Sequence, residues 1–190
     1  MEEGALAEAK KNFRTLIFMD ESGFSEGSVI RRTWAPRGQT PVVRPKGRSW
    51  RWMSAIGATV YGPRRSNLLL LFQPGPVRGP GVLRFLKHLR RHTKGRVLLL
   101  WNGLQAHRAA IVKEWLAANR DWLAVEKLPA YAPELNPVEG LWAWLKSNCL
   151  ANVCTDDLTP LVRRVRNGSH RLRRRPDVIE AFLGQAGLFL

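Results

Sequence analysis

Short apolar runs bounded by glycine, proline or polar residues occupy the first half of the chain, and this pattern is typical of buried strands. The runs are Thr15–Asp20, Met53–Tyr61 and Asn67–Phe72. Val29–Trp34 and Thr40–Val43 are also strand-like, and the turn between them predicts a hairpin in which Trp34 packs. Residues 2–12, rich in alanine, glutamate and lysine, predict a short helix before the first strand.

Further along the chain the apolar spacing changes to that of amphipathic helices with strands between them. The first helix is indicated by apolar residues at helical spacing, namely Val82, Phe85, Leu86 and Leu89. A second helix is predicted over Ala106–Asn119, with a buried face made of Ile111, Trp115 and Leu116. Two more strands are predicted over Arg96–Trp101 and Trp122–Leu128. This order predicts an α/β fold in which helices cover the faces of a mixed sheet.

A later segment predicts a helix with a well-defined start. Asn136 is a good N-cap, and Pro137 suits the first helical position. Glu139 then lies in the first turn, and Lys146 lies on the same face two turns later.

The 190 residues are enough for one domain with a proper core. We expect a core over residues 14–150 and a basic helical C-terminal extension over residues 151–190. Helices are predicted there over Asp156–Arg166 and from Pro176 onward, with Val178, Phe182 and Leu183 packing back.

Charge adds information about partners. The formal net charge is +16, from 31 Lys and Arg against 15 Asp and Glu. Such an excess favours a polyanionic partner, most simply nucleic acid, over a merely soluble basic protein. No apolar run is long enough to cross a membrane, and the acidic N-terminus lacks a signal-peptide pattern. Two cysteines are too few for a disulfide scaffold or a zinc site, which fits a reduced cytoplasmic setting.

Two stretches concentrate basic residues that suit DNA contact. Lys46, Arg48 and Arg51 alternate with tryptophans, and such a mixture favours phosphate contact together with base stacking. An ordinary basic loop whose tryptophans pack on the sheet is the alternative. The C-terminal candidates for DNA contact are Arg171, Arg173, Arg174 and Arg175, and Lys146 is a further one. For these residues a solvated face is the alternative.

Two acidic residues far apart in the sequence are candidates for metal-dependent chemistry. Asp20 ends a buried apolar run, and Glu139 lies at a helix N-terminus that favours its ionised form. Carboxylates at a strand end and a helix start are the donors that a divalent-metal phosphoryl-transfer site needs. Taken singly, Asp20 fits a strand-end cap and Glu139 fits a complement to the helix dipole. Glu21, the next residue of the strand, is expected to point to the other face.

Three motifs carry a resemblance to a known family. They are Asp20-Glu-Ser-Gly-Phe24, Arg32-Thr-Trp-Ala-Pro-Arg-Gly-Gln39 and Tyr131-Ala-Pro-Glu-Leu-Asn-Pro-Val-Glu139. They resemble those of the DDE transposases of the mariner-like superfamily, and within it the bacterial insertion-sequence branch. The resemblance implies an RNase H-like fold and an acidic triad that holds two Mg²⁺ or Mn²⁺ ions and cuts and joins DNA strands. Asp20 matches the first acid of the triad, and Glu139 matches the third.

The chain departs from the family at the second acid, where Asn102 stands in place of aspartate. An amide oxygen can bind a metal but brings no charge, so we expect one ion to be bound weakly or not at all. We predict that Asp20, Asn102 and Glu139 converge, and that the chain binds DNA but cuts it poorly or not at all. His107, five residues after Asn102, is either a residue beside the site or a capping or packing histidine.

Three functions follow from these observations. The first is the catalytic domain of a cut-and-paste transposase, with transposon ends and target DNA as partners. The second is a catalytically dead, repurposed DNA-binding domain of transposase origin, and the third is an unrelated nuclease or integrase of the same fold. The resemblance implies a homodimer during the reaction. We find no helix-turn-helix recognition region in the chain, and expect a fragment of a longer protein or the second part of a split reading frame.

Overall fold

The computed structural model describes residues 15–25, 31–40, 42, 52–129, 132–153, 155 and 157–188. A single five-stranded sheet runs through this part of the chain, in the order β3-β2-β1-β4-β5. Its strands are β1 (Thr15–Ser25), β2 (Trp52–Tyr61), β3 (Ser66–Pro74), β4 (Val97–Trp101) and β5 (Leu123–Lys127). The first three strands are antiparallel, and β4 and β5 extend the sheet in parallel from β1. The predicted mixed sheet is therefore confirmed.

Five helices and two short 3₁₀ turns accompany the sheet in the described chain. The helices are α1 (Gly79–His92), α2 (Ala110–Ala117), α3 (Pro137–Cys149), α4 (Leu158–Leu172) and α5 (Pro176–Gln185). The 3₁₀ turns are Gln105–Arg108 and Pro133–Leu135. No helix in the described residues is both long enough and apolar enough to cross a membrane.

The central strand β1 is buried on both faces and divides the core in two. Ile17 and Met19 pack in the cluster that includes the apolar stripe of α1. Leu16 and Phe18 point the other way and pack in the cluster built by α3, α4 and α5. This alternation follows from the pleat of the strand, and it decides which face each residue near the end of the strand can reach.

The C-terminal helices belong to the second of these clusters. Val165 of α4 and Phe182 of α5 are buried together with Phe18 of the central strand. Tyr61 of β2 donates its hydroxyl hydrogen to the carbonyl oxygen of Ile179 at 3.1 Å. The last two helices therefore complete one layer of the fold.

The predicted hairpin is wrong over the residues that the structure describes. Residues 31–34, 40 and 42 form no strand, although the turn is present, with Gln39 N donating to Pro36 O at 3.0 Å. Instead of pairing with a strand, Arg31 donates its backbone N–H to Asn152 Oδ1 at 2.9 Å. Trp34 is 99% exposed, so its predicted packing role is also wrong.

Two predicted boundaries change in ways that affect the site. The prediction that Asp20 ends the first strand is wrong, since β1 continues to Ser25. The strand is longer because β2 goes on pairing with it after the pairing with β4 has stopped. The helix predicted over Ala106–Asn119 breaks at Ala109, whose backbone is extended (φ −58°, ψ 142°). Ile111 is 39% exposed, and the fully buried residue of α2 is Val112. The predictions on residues 2–12 and on Lys46, Arg48 and Arg51 lie outside the described residues.

Candidate active site

Two parallel strands carry the first two candidate residues to the same place. The pairing of β1 with β4 ends at Met19 and Trp101, so Asp20 and Asn102 are the next residues on adjacent strands. The alternation of side chains along each strand puts both residues on the α3 side of the sheet, and their side chains meet there. Asn102 Nδ2 donates to Asp20 Oδ1 at 2.8 Å.

The Asp20 carboxylate is buried, with only 7% of the residue exposed, and both of its oxygens accept hydrogen bonds. Trp142 of α3 supplies the second donor, since its indole Nε1 lies 3.0 Å from Asp20 Oδ2. Asn102 is held in turn by Leu104, whose backbone N donates to Asn102 Oδ1 at 3.0 Å. Trp142 lies three residues after Glu139, so its spacing puts it on the same helix face, but the spacing does not indicate its contact with Asp20.

Helix α3 begins at the site, as predicted. Asn136 caps it, accepting the Val138 N–H at 3.2 Å, and Pro137 occupies the first turn. Glu139 lies in that turn and is exposed, and its charge acts on the Asp20 carboxyl. Lys146 lies two turns later, with Nζ 6.0 Å from the centre of the Phe24 ring. The helix therefore brings one acid to the site at its start, and carries one base further along, over Phe24.

Burial raises the pKa of the Asp20 carboxyl from 3.8 to about 6. The Trp142 N–H opposes this rise, while the negative charges of Glu21 and Glu139 add to it. A carboxyl whose ionised form is disfavoured by burial and by neighbouring acids is common where a protein holds charge for function.

Glu21 points to the opposite face of the sheet, as predicted, and there meets His107. His107 Nε2 lies 2.8 Å from Glu21 Oε1, and both side chains are nearly buried. The other ring nitrogen, Nδ1, lies 3.0 Å from the backbone carbonyl oxygen of Asn102. The ring stacks on Trp101 with centroids 4.1 Å apart. His107 thus fixes the backbone of Asn102 from behind the site, a role that its sequence position left open.

The donor set around Asp20 does not fit the two divalent ions that the resemblance implies. Both Asp20 oxygens already accept N–H groups, and the Asn102 oxygen accepts the Leu104 N–H. Within the described residues, no three His, Cys, Asp or Glu side chains are grouped so as to hold a metal ion. Hard divalent cations are held by oxygen ligands whose charge sets the affinity, and here one position is a neutral amide.

The predicted C-terminal DNA contacts have different surroundings. Arg171 and Arg174 are exposed, whereas Arg173 is partly buried and its Nε donates to Leu68 O at 3.1 Å. Arg175 pairs with Asp177 at 2.8 Å. Helix α4 adds three exposed arginines that are not among the predicted DNA contacts, namely Arg163, Arg164 and Arg166. Their helical spacing places them opposite the buried Leu161 and Val165, and this amphipathic pattern is the feature of the sequence that predicts their exposure.

Comparison with known proteins gives two positive results. The profile of the family described as DDE superfamily endonuclease matches residues 15–161. The chain is also similar in fold to solved structures of the Mos1 mariner transposase. A search of curated proteins found no match.

The Mos1 paired-end complex with left transposon end matches with a TM-score of 0.57 at 18% identity, over 97% of this chain and 60% of that chain. The mariner Mos1 paired end complex with Mg matches with a TM-score of 0.57 at 19% identity, over 99% of this chain and 61% of that chain. The catalytic domain of Mos1 matches with a TM-score of 0.52 at 18% identity, over 99% of this chain and 91% of that chain. The chain therefore spans about 60% of the Mos1 chain in these complexes. The likeness confirms the predicted RNase H-like fold.

Proposed function

Because the chain belongs to the DDE superfamily of endonucleases, we propose that it is the catalytic domain of a cut-and-paste DNA transposase. With Asn102 in place, it binds DNA and cuts it poorly or not at all. The active form of such a domain uses two Mg²⁺ or Mn²⁺ ions, and Asp20, Asn102 and Glu139 are the positions that correspond to its acids.

The observation that carries the proposal is the 2.8 Å hydrogen bond from Asn102 to Asp20. It joins the two residues that match the first and second acids, and the charge of Glu139 acts on the same carboxyl. The position of the second acid brings no negative charge, so the attraction of the site for a divalent cation is reduced. With this amide in place, the site lacks the charge that a strand-cleaving step would need.

DNA as the partner is supported by charge. The net charge is +16, and α4 combines exposed arginines with no acidic residue along its length. Phosphate contacts of this kind give salt-dependent and largely sequence-independent binding. We propose that the DNA is a transposon end and its target, and that two copies of the chain act together. We also propose that the protein works in the bacterial cytoplasm, as an insertion-sequence transposase would.

A repurposed DNA-binding domain of transposase origin is the second candidate, and the neutral Asn102 favours it. The two candidates differ in what happens when the acid is restored. A transposase domain silenced only at this position gains activity in the Asn102→Asp variant, whereas a domain that has lost other parts of its site does not.

The test compares nicking of supercoiled DNA by the parent chain and by Asn102→Asp in Mg²⁺ or Mn²⁺. We expect cleavage by the variant and little or none by the parent. Gly103 follows Asn102 and favours slow deamidation, so mass spectrometry of the parent must show an intact amide. Full cleavage by a parent with intact Asn102 would show that the second catalytic position lies elsewhere.

The DNA-binding part is tested on the same proteins by fluorescence anisotropy over a range of salt concentrations. Replacing Arg171 and Arg174 by alanine should weaken binding and flatten the salt dependence by about one unit of slope for each phosphate that the protein no longer neutralises. Arg173 is left in place because of its bond to the sheet. The matched control replaces Lys113 and Arg120, which are also exposed but belong to the α2 side. Equal effects of the two pairs would contradict a C-terminal DNA face.

A further inference from the structure

We propose that the side-chain N–H of Asn102 takes the place of a cation beside Asp20, so that the acidic site of this chain is held together without metal. The inference deepens the proposed function and rests on it, because it concerns the site at which the chemistry of the family takes place. Asn102 then does more than replace a charged metal ligand, because its N–H also substitutes for the ion itself.

The orientation of the Asn102 amide is fixed by two independent partners. Its nitrogen donates to Asp20 Oδ1 at 2.8 Å, and its oxygen accepts from Leu104 N at 3.0 Å. If the amide were flipped, its oxygen would face the carboxylate and its NH₂ would face the Leu104 N–H, and both contacts would be repulsive. The donor side of the amide therefore faces the carboxylate.

A second uncharged donor completes the arrangement. The Trp142 indole reaches Asp20 Oδ2 across β2, where Gly57 lies directly opposite Asp20. A Cβ at Gly57 would lie 2.4 Å from the Trp142 ring, so only glycine leaves the space that the ring occupies. The two oxygens of Asp20 are thus satisfied by two N–H groups, and neither bond needs an ion.

An acid at position 102 would reverse this situation. In Asn102→Asp a carboxylate oxygen would replace the N–H that now lies 2.8 Å from Asp20 Oδ1. Two carboxylates so close to each other repel unless a cation or a shared proton lies between them. We expect the folded state of this variant to depend on a divalent ion, whereas the parent does not.

The experiment is thermal unfolding of the parent, Asn102→Asp and Asn102→Ala, in EDTA and in millimolar Mg²⁺ at matched ionic strength. We expect the Tm of the parent to be the same in both. Asn102→Asp should unfold several degrees lower in EDTA and recover as Mg²⁺ rises, since binding to the native state raises Tm. Asn102→Ala loses the donor and gains no acid, so its Tm should be lower than that of the parent and unaffected by Mg²⁺.

Two results would overturn the inference. One is a rise in the parent's Tm with Mg²⁺ as large as that of Asn102→Asp, and the other is an Asn102→Asp variant that is as stable as the parent in EDTA. If Asn102→Asp does not fold, calorimetric titration of the parent with Mg²⁺ decides, and binding at the site would count against the inference. DNA binding by the parent, measured in EDTA, tests the proposed function separately from this inference. A parent that does not bind DNA would contradict the proposed function but would leave the expected Tm pattern unchanged.

Discussion

Asp20 and Glu21 are consecutive residues of β1, and the pleat of the strand sends their carboxyl groups to opposite faces of the sheet. Asp20 accepts two hydrogen bonds from uncharged donors, Asn102 and Trp142. Glu21 faces His107, a partner that can itself carry charge. Asn102 touches both sides, because its amide donates to Asp20 while its backbone carbonyl accepts from His107.

The hydrogen-bond partners determine how many protons each side holds. The Asn102 carbonyl only accepts, so His107 Nδ1 carries a hydrogen, and the close contact of Nε2 with Glu21 requires one more proton between them. On the Glu21 side, this extra proton therefore offsets the negative charge of the buried carboxylate. The Asp20 side has donors but no such proton, and its ionised form retains a full negative charge. One side is built to be neutral, and the other to hold a negative charge.

The largest expected effect tests the neutral side. His107→Ala would leave the Glu21 carboxyl buried without its partner, and its second oxygen, Oε2, already has none. Removing one member of a buried pair typically costs about 3–5 kcal/mol of stability, and the stack on Trp101 disappears as well. Denaturant unfolding of the variant and the parent measures this difference.

An exposed pair in the same protein provides the matched control. Arg175 and Asp177 also approach to 2.8 Å, but their side chains are 63% and 61% exposed. Solvent screens such a pair, so Arg175→Ala should leave the unfolding midpoint essentially unchanged. Similar losses of stability in the two variants would mean that burial is not what makes the Glu21 pair important.

The second prediction concerns pH on the charged side. The pKa of Asp20 is about 6 in the folded chain and 3.8 when unperturbed, so the folded state binds the proton more tightly. The stability that this carboxyl contributes is present below pH 3.8 and is lost as pH rises through about 6. A rise of this size corresponds to roughly 3 kcal/mol.

Comparison of the parent with Asp20→Asn isolates that contribution from other titrating groups. We expect the free energy of unfolding of the parent to fall relative to the variant as pH rises from 3.8 to about 6, and the difference to be constant at higher pH. Only the slope is interpreted, because the substitution also alters hydrogen bonding. Parallel pH profiles for the two proteins would contradict a raised pKa at Asp20.

Local sequence patterns predicted most of the sheet because its inner strands, β1, β2 and β4, are largely buried on both faces. The run from Thr15 to Asp20 could be recognised as a central strand by its unbroken apolar character. The hairpin around Trp34 failed because Arg31, in its first predicted strand, bonds to Asn152 and Ser147, more than 100 positions away. A local pattern carries no information about such partners.

The candidate site, like the sheet, was predictable only in part. Motif resemblance brought Asp20 and Asn102 to the same location, and their contact is present. The role of Trp142 could not be read from the sequence, because it depends on Gly57 being opposite Asp20 in the folded sheet. The contact between Glu21 and His107 likewise joins positions 86 residues apart. Spacing predicts which face a residue occupies, but the identity of its partner comes from the fold.

The smallest expected effect asks whether the two sides of β1 act independently. Trp142→Phe removes a donor on the Asp20 side, and His107→Ala removes the group that fixes the Asn102 backbone on the other. Since Asn102 belongs to both networks, we expect the double variant to deviate from additivity by about 0.5–1 kcal/mol in denaturant unfolding. The control cycle pairs Trp142→Phe with Gly184→Ala, an α5 position where an added Cβ meets nothing within 4 Å, and it should be additive. Full additivity in both cycles would mean that β1 separates the neutral side from the charged side, and that His107 has no influence on how Asn102 meets Asp20.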